Sequence, residues 1–250
     1  MNSSDNRQTR VLKNKEAVAE FAVDTWIELA TASVTEKGVF TVALSGGRTP
    51  IDFYQQLAVC PHPLPWDKTY IFFADERFVP YDDKESNYRM INEHFLSRIA
   101  IPKENIHPVL TDGVTLDESA NEYEADIRTF FKTGDTDIPR FDLILLGIGK
   151  DGHTASLFPG TASLQETKRL AIPVIADASP AERISLSLKV INNAHNICFV
   201  VTRSSKAAVI KEIIEDNERM LPAAQVRPVQ GTVLFVMDKG AASRLSSRGG

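Results

Sequence analysis

Phe141-Asp-Leu-Ile-Leu-Leu-Gly-Ile-Gly-Lys-Asp-Gly-His153 decides the fold. A short, almost continuous apolar run, 141–146, passes directly into a polar, glycine-rich segment. Such a run, without the alternation of a half-exposed strand, suits a strand covered on both faces. Working outward, residues 39–44, 70–73 and 197–201 read the same way and are separated by longer stretches with helical spacing. Strands alternating with helices predict an α/β protein with a single doubly wound, mostly parallel, Rossmann-like sheet flanked by helices. Residues 232–237 and the alternating 184–190 are expected to add strands. Val18, Phe21, Ala22, Thr25, Ile27 and Leu29 place an opening amphipathic helix over 12–32, with Gly38 as its stop. Further helices are expected to start at Pro50, at Ser86 ahead of 87–99, at Asp117 ahead of 118–131 and at Ser204 ahead of 206–214.

The chain has 250 residues, 43% of them hydrophobic and 24% charged, which suits one large α/β domain over 1–250. Residues 1–10 and 243–250 are polar and are expected to be flexible tails. The net charge is −5, with lysine and arginine dispersed, so nothing marks a nucleic-acid binder. No apolar run is long enough to span a membrane, and residues 1–10 lack the apolar stretch of a secretory signal, which predicts a cytoplasmic protein. Cys60 and Cys198 show no metal-type spacing and read as two buried thiols. With no heptad or large apolar edge evident the expected state is a monomer.

Ligands of open parallel sheets sit beyond the carboxyl ends of the strands. The segments there are Ser45-Gly46-Gly47-Arg48-Thr49-Pro50, Ala74-Asp75-Glu76-Arg77, the stretch from Gly147 to His153, and Thr202-Arg203-Ser204-Ser205-Lys206. The first is a strand-to-helix turn whose glycines let amide groups approach an anion at a helix N-terminus, so Ser45 to Thr49 read as a phosphate cradle. A tight turn that merely needs glycine is the plainer alternative. Lys206 and Arg77 are further candidate phosphate contacts. Gly147-Ile-Gly-Lys-Asp-Gly152 matches GxGxxG, but Pro159-Gly160 cuts off the helix that a dinucleotide site needs, and no acidic residue lies about 20 positions on. Its glycines are better read as bending a loop that presents His153.

Among His62, His94, His107, His153 and His195, only His153 lies in a glycine-rich loop past a strand, with Asp151 two residues before it. Imidazole exchanges protons near neutrality, and a carboxylate can hold its orientation. Asp75 is the first candidate for that carboxylate, with pairing to Arg77 as its plainer role.

Ser45-Gly-Gly-Arg-Thr-Pro, Asp75-Glu-Arg, Ser86-Asn-Tyr, the long segment from Gly147 to Pro159, Arg183-Ile-Ser-Leu-Ser and Leu221-Pro-Ala-Ala together resemble the 6-phosphogluconolactonase family, related in fold to the glucosamine-6-phosphate deaminases. The resemblance covers nearly the whole chain. It implies a sugar-phosphate-isomerase type of fold and a small phosphorylated sugar lactone, 6-phosphogluconolactone, as substrate, opened to 6-phosphogluconate in the oxidative pentose phosphate pathway. The family pattern usually has glycine where this chain has Arg203. The deaminases resemble Ile-Ala-Phe-Asn-Glu after the histidine, whereas this chain reads Thr154-Ala-Ser-Leu-Phe158 and lacks that carboxylate, which disfavours deaminase chemistry.

The lactone chemistry implied by the resemblance needs no metal or organic cofactor. The expected mechanism has His153 activate water, Asp75 orient His153, and amides around Gly149, Asp151 and Gly152 with Arg77 stabilise an oxyanion. The phosphate is expected on Gly46 to Thr49 with Lys206 and Arg183. One rival is a serine esterase built on Ser45, Asp75 and His153, though Ala43-Leu-Ser-Gly-Gly lacks the first glycine of GxSxG. The other is a sugar-phosphate sensor without turnover, for which no output module is visible.

Overall fold

The computed structural model describes residues 6–246 apart from 217, 219 and 229. In chain order the elements are β1 (Arg7–Leu12), α1 (Lys15–Lys37), β2 (Phe40–Leu44), α2 (Ile51–Ala58), β3 (Thr69–Phe73), β4 (Asp75–Arg77), α3 (Asn87–His94) and α4 (Leu116–Phe131). They continue with β5 (Leu143–Leu146), β6 (Ala171–Ile175), β7 (Glu182–Leu186), α5 (Leu188–Ile191), β8 (Asn196–Val201), α6 (Ala207–Ile214) and β9 (Thr232–Asp238).

Six strands form one sheet in the order β1-β9-β8-β5-β2-β3, with every neighbouring pair parallel. The central apolar runs are buried along their whole length, as a sheet covered on both faces requires. On one face Trp26 of α1 is fully buried and meets Phe40 edge-on at 5.2 Å, with Phe53 and Phe95 beside it. Phe130 and Phe131 of α4 pack against Phe72, and Phe131 also meets Phe141. Core aromatics therefore clamp α1, α2 and α4 to the sheet.

The helix starts follow local chemistry. Asn14 caps α1 by accepting the Ala17 N–H at 3.0 Å, and Gly38 ends it in the left-handed conformation, φ 81°. The expected 12–32 thus becomes Lys15–Lys37. Thr115, not Asp117, starts α4: its hydroxyl accepts the Glu118 N–H at 3.3 Å while Glu118 accepts the Thr115 N–H at 2.7 Å, a reciprocal capping box. Thr115→Ala is expected to cost about 1 kcal/mol in urea unfolding, with no change in the cleft described below. The helix expected over 87–99 ends at His94 and gives way to a 3-10 turn, and that expected over 206–214 begins at Ala207 after a 3-10 turn over Ser204–Lys206.

Three expectations need correction. Arg7–Leu12 is an edge strand paired with β9, not part of a loose tail; its Arg-Gln-Thr-Arg pattern has no apolar run, and its pairing comes from a partner far along the chain. At the other end Leu245 packs on the core and the Ser246 N–H donates to Glu215 at 2.6 Å, while the remainder of both expected tails, 1–5 and 247–250, lies outside the described residues. Residues 184–190 do not join the parallel sheet: Glu182–Leu186 lies between β4 and β6 in a separate antiparallel sheet, and α5 follows. Pro173 sits in β6, an edge strand, where a missing donor is tolerated. Cys198 is buried, but Cys60 is only partly so; both are free thiols. Among the described residues no helix is long and apolar enough to cross a membrane.

Candidate active site

From β2 the chain runs through α2 to β3 on one side, then crosses back to β5 on the other, so the strand order reverses between β2 and β5. The crevice at such a reversal, beyond the strands' carboxyl ends, is where open α/β sheets bind ligands. A cleft of about 470 Å³ opens there, lined from the loops after β2, β5 and β8 and from β4 and β7 of the small sheet. Among the described residues Arg48, Arg77, Lys150, Arg183, Arg203 and Lys206 line it, against the single carboxylate of Asp75. A protein of net charge −5 thus concentrates positive charge at one place, the local arrangement that anion binding requires.

Most expected site residues converge here: Ser45, Gly46, Gly47, Arg48, Thr49, Asp75, Arg77, Gly149, His153, Arg183 and Lys206 all line the cleft. Asp151 and Gly152 do not line it. Asp151 stands behind His153, its Oδ1 2.6 Å from Nδ1 and 3.3 Å from the His153 amide nitrogen. Burial pushes the Asp151 carboxyl up, but the charge of His153 and its hydrogen bonds outweigh it and hold the carboxyl below its ordinary value. The carboxylate on His153 is therefore Asp151, in place of the expected Asp75. Asp75 Oδ2 instead accepts the Ser156 hydroxyl at 2.8 Å and is buried beside the cleft. The His153 side chain is 32% exposed and packs against the Phe158 ring with centroids 4.6 Å apart, and the Arg183 guanidinium lies 5.5 Å from the centroid of the same ring.

The loop amides do not match expectation. The Gly149 N–H donates to His153 O at 2.8 Å and the Gly152 N–H to Gly149 O at 3.2 Å, so both are engaged within the loop. Gly149 is needed for close approach: a Cβ there would lie 2.1 Å from His153 Nδ1 and 2.3 Å from Asp151 Oδ1. Both side chains are partly exposed and can swing away, so Gly149→Ala is expected to leave the melting temperature within a few degrees. With the catalytic role expected of His153, it is expected to lower kcat by about tenfold or more, because it displaces the imidazole.

Arg77 and Arg183 face each other across the β4–β7 pair. Like charges directly opposite repel, an arrangement that an anion relieves. Arg77 donates to Glu85 O at 2.7 Å and leaves Nε buried without a partner. Burial, then the like charge of Arg77, lowers the pKa of Arg183. Burial likewise lowers that of Lys206, Asp151 opposing it and Lys150 and Arg203 adding to it. Ser45 Oγ is buried without a hydrogen-bond partner, so the rival Ser45-Asp75-His153 triad is not assembled.

Sequence reading gave no role to Asn87, Lys150, Thr202 and Ser205, which line the cleft, or to Glu76 behind them. Glu76, 1% exposed, accepts the N–H groups of Asn87, Tyr88 and Arg77 at 2.6, 2.7 and 2.8 Å. It thereby fixes the start of α3 beside the cleft, where Asn87 also donates to Asp75 O at 2.8 Å and packs so closely on Gly46 that a Cβ there would lie 1.7 Å from Asn87 Oδ1. The position of Lys150, Thr202 and Ser205 just past predicted strands was the available signal; for Glu76 only the folded hydrogen bonds reveal the role. Among the described residues no group of three or more His, Cys, Asp or Glu side chains is placed to hold a metal ion.

Residues 13–235 match the family described as "Glucosamine-6-phosphate isomerases/6-phosphogluconolactonase". The chain is 38% identical over 240 residues to a 6-phosphogluconolactonase of Synechocystis sp., covering 95% of this chain and 98% of that one. Its fold superposes on the crystal structure of 6-phosphogluconolactonase from Thermotoga maritima with a TM-score of 0.81 at 32% identity, covering 93% of this chain and 100% of the other. The Trypanosoma brucei 6-phosphogluconolactonase gives a TM-score of 0.88 at 28% identity, with 97% and 100% covered. With the match running through every cleft-lining loop, the chain belongs to the glucosamine-6-phosphate isomerase/6-phosphogluconolactonase family.

Proposed function

We propose that this protein hydrolyses 6-phospho-D-glucono-1,5-lactone to 6-phospho-D-gluconate, the lactone-opening step of the oxidative pentose phosphate pathway, without a cofactor. The observation that carries this reading is His153, held by Asp151 and presented to a cleft lined by six cationic side chains. Likeness to 6-phosphogluconolactonases over almost the whole chain supports it.

With Nδ1 donating to Asp151, Nε2 is the basic nitrogen. Nε2 takes a proton from water, and the hydroxide forms a bond to C1 of the lactone. The carbonyl electrons move onto its oxygen, where Arg77 and Arg183 supply positive charge. As the carbonyl re-forms, the bond from C1 to the ring oxygen breaks, and the imidazolium returns its proton to that oxygen. The acid so formed ionises to the carboxylate. Arg48, Thr49, Lys206 and the Gly46-Gly47 turn hold the phosphate, so that binding at one end of the sugar orients C1 at the other. Asp75 fixes the Ser156 loop from behind. The protein acts on a small molecule as a cytoplasmic monomer of one domain, with no nucleic-acid or membrane partner.

Turnover in ¹⁸O-labelled water tests the bond assignment. One labelled oxygen is expected in the product carboxylate and none in the former ring oxygen, with no ammonia released from glucosamine 6-phosphate. Label at the former ring hydroxyl, or ammonia release, would overturn the proposal.

A further inference from the structure

We infer that Arg203 is a specificity residue of the cleft, a cation kept at a glycine-like backbone position to bind the phosphate monoester dianion. The inference deepens the proposed function and rests on it for the identity of the substrate. Arg203 has φ 83° and ψ 139°, a region that essentially only glycine occupies without strain. Its backbone is held there whatever its side chain: the Arg203 N–H lies 3.0 and 3.2 Å from the two Asp238 carboxylate oxygens, and Asp238 Oδ1 also accepts the Ala241 N–H at 2.7 Å. Glycine would satisfy this geometry at no cost, so the turn itself does not call for arginine.

The side chain has a different environment from the backbone. Arg203 lines the cleft with Arg48, Lys150, Ser205 and Lys206, and among the described residues its guanidinium makes no ion pair. Its charge reaches both Lys206 and Lys15. Lys15 bonds Asp52 in the first turn of α2 at 2.9 Å, which places Arg203 on the side of the cleft where the Ser45 to Pro50 turn enters that helix. The carboxylates nearby are already committed, Asp238 to the Arg203 amide, Asp52 to Lys15 and Asp151 to His153. Backbone strain and converging like charges are both tolerated at one point, and a bound dianion offsets both.

The test uses Arg203→Gly and Arg203→Ala in the full chain, with phosphorylated and unphosphorylated gluconolactone as paired substrates and inorganic phosphate as a binding probe. In both variants the ratio of kcat/KM for the phosphorylated to the unphosphorylated lactone is expected to fall about fivefold to tenfold, and the dissociation constant of inorganic phosphate to rise by a similar factor. Both effects are expected to shrink as ionic strength rises, because Arg203 is exposed. The melting temperature is expected to rise in Arg203→Gly but not in Arg203→Ala, since only glycine relieves the strain. An unchanged ratio and unchanged phosphate binding in Arg203→Gly would overturn the inference. If the unaltered protein opens neither lactone, the proposed function fails, and phosphate titration of the same proteins still decides the role of Arg203. Equal binding by the variant, or none by either, rejects that role.

Discussion

His153→Ala is expected to lower kcat for lactone opening by about 10² or more, the usual contribution of a positioned general base. The fold is expected to survive, because the side chain is 32% exposed and its partners are Asp151 and one face of Phe158. Stability is therefore expected to change by less than about 1 kcal/mol. KM is expected to change little, because the proposed phosphate contacts come from other loops. The comparison is steady-state turnover after subtraction of spontaneous lactone hydrolysis. Near-normal kcat in this variant would remove His153 from the mechanism and direct attention to Asp75, the only carboxylate lining the cleft among the described residues.

The second large effect concerns stability. Burial pushes the Glu76 carboxyl up to about 7 from its ordinary 4.5, against the opposing pull of three backbone N–H donors. Between these two values the folded protein holds a proton that the unfolded chain has released. The favourable contribution of protonated Glu76 is thus fully present below about pH 4.5 and is lost as pH rises through about 7. The loss attributable to this group is on the order of 3 kcal/mol. Urea unfolding at a series of pH values is expected to show this decline in the unaltered protein, and Glu76→Gln is expected to flatten it by that amount. Parallel curves for the two proteins would show that the N–H donors keep Glu76 ionised throughout. The same carboxylate seats Asn87 beside the cleft, so the titration bears on the site as well as on the fold.

The parallel sheet was legible because its central strands are buried on both faces and read as uninterrupted apolar runs. β1, β4 and β6 were not, because they are short or edge strands whose pairing is supplied by distant residues: Arg7 lies opposite Val233, and Asp75 opposite Ser185. Strand ends told where the chemistry would gather, and the glycine-rich turns after β2 and β5 do meet at the reversal of strand order. Spacing did not tell which carboxylate reaches His153. Asp75 comes from another strand and Asp151 from the same loop, and the folded loop, in which both the His153 and Asp151 side chains lie against Gly149, decides between them. Nor could sequence show that Asn87 occupies the space of a missing side chain at Gly46, or that Arg203 takes up a backbone conformation suited to glycine.

The most direct test of the central claim is the rate of loss of freshly generated 6-phosphogluconolactone, followed by NMR with and without catalytic amounts of the protein, beside unphosphorylated gluconolactone. The account predicts strong acceleration for the phosphorylated lactone and little for the other, because the cationic cleft supplies orientation only to a substrate that carries phosphate. Decay at the spontaneous rate in the presence of folded protein would contradict it.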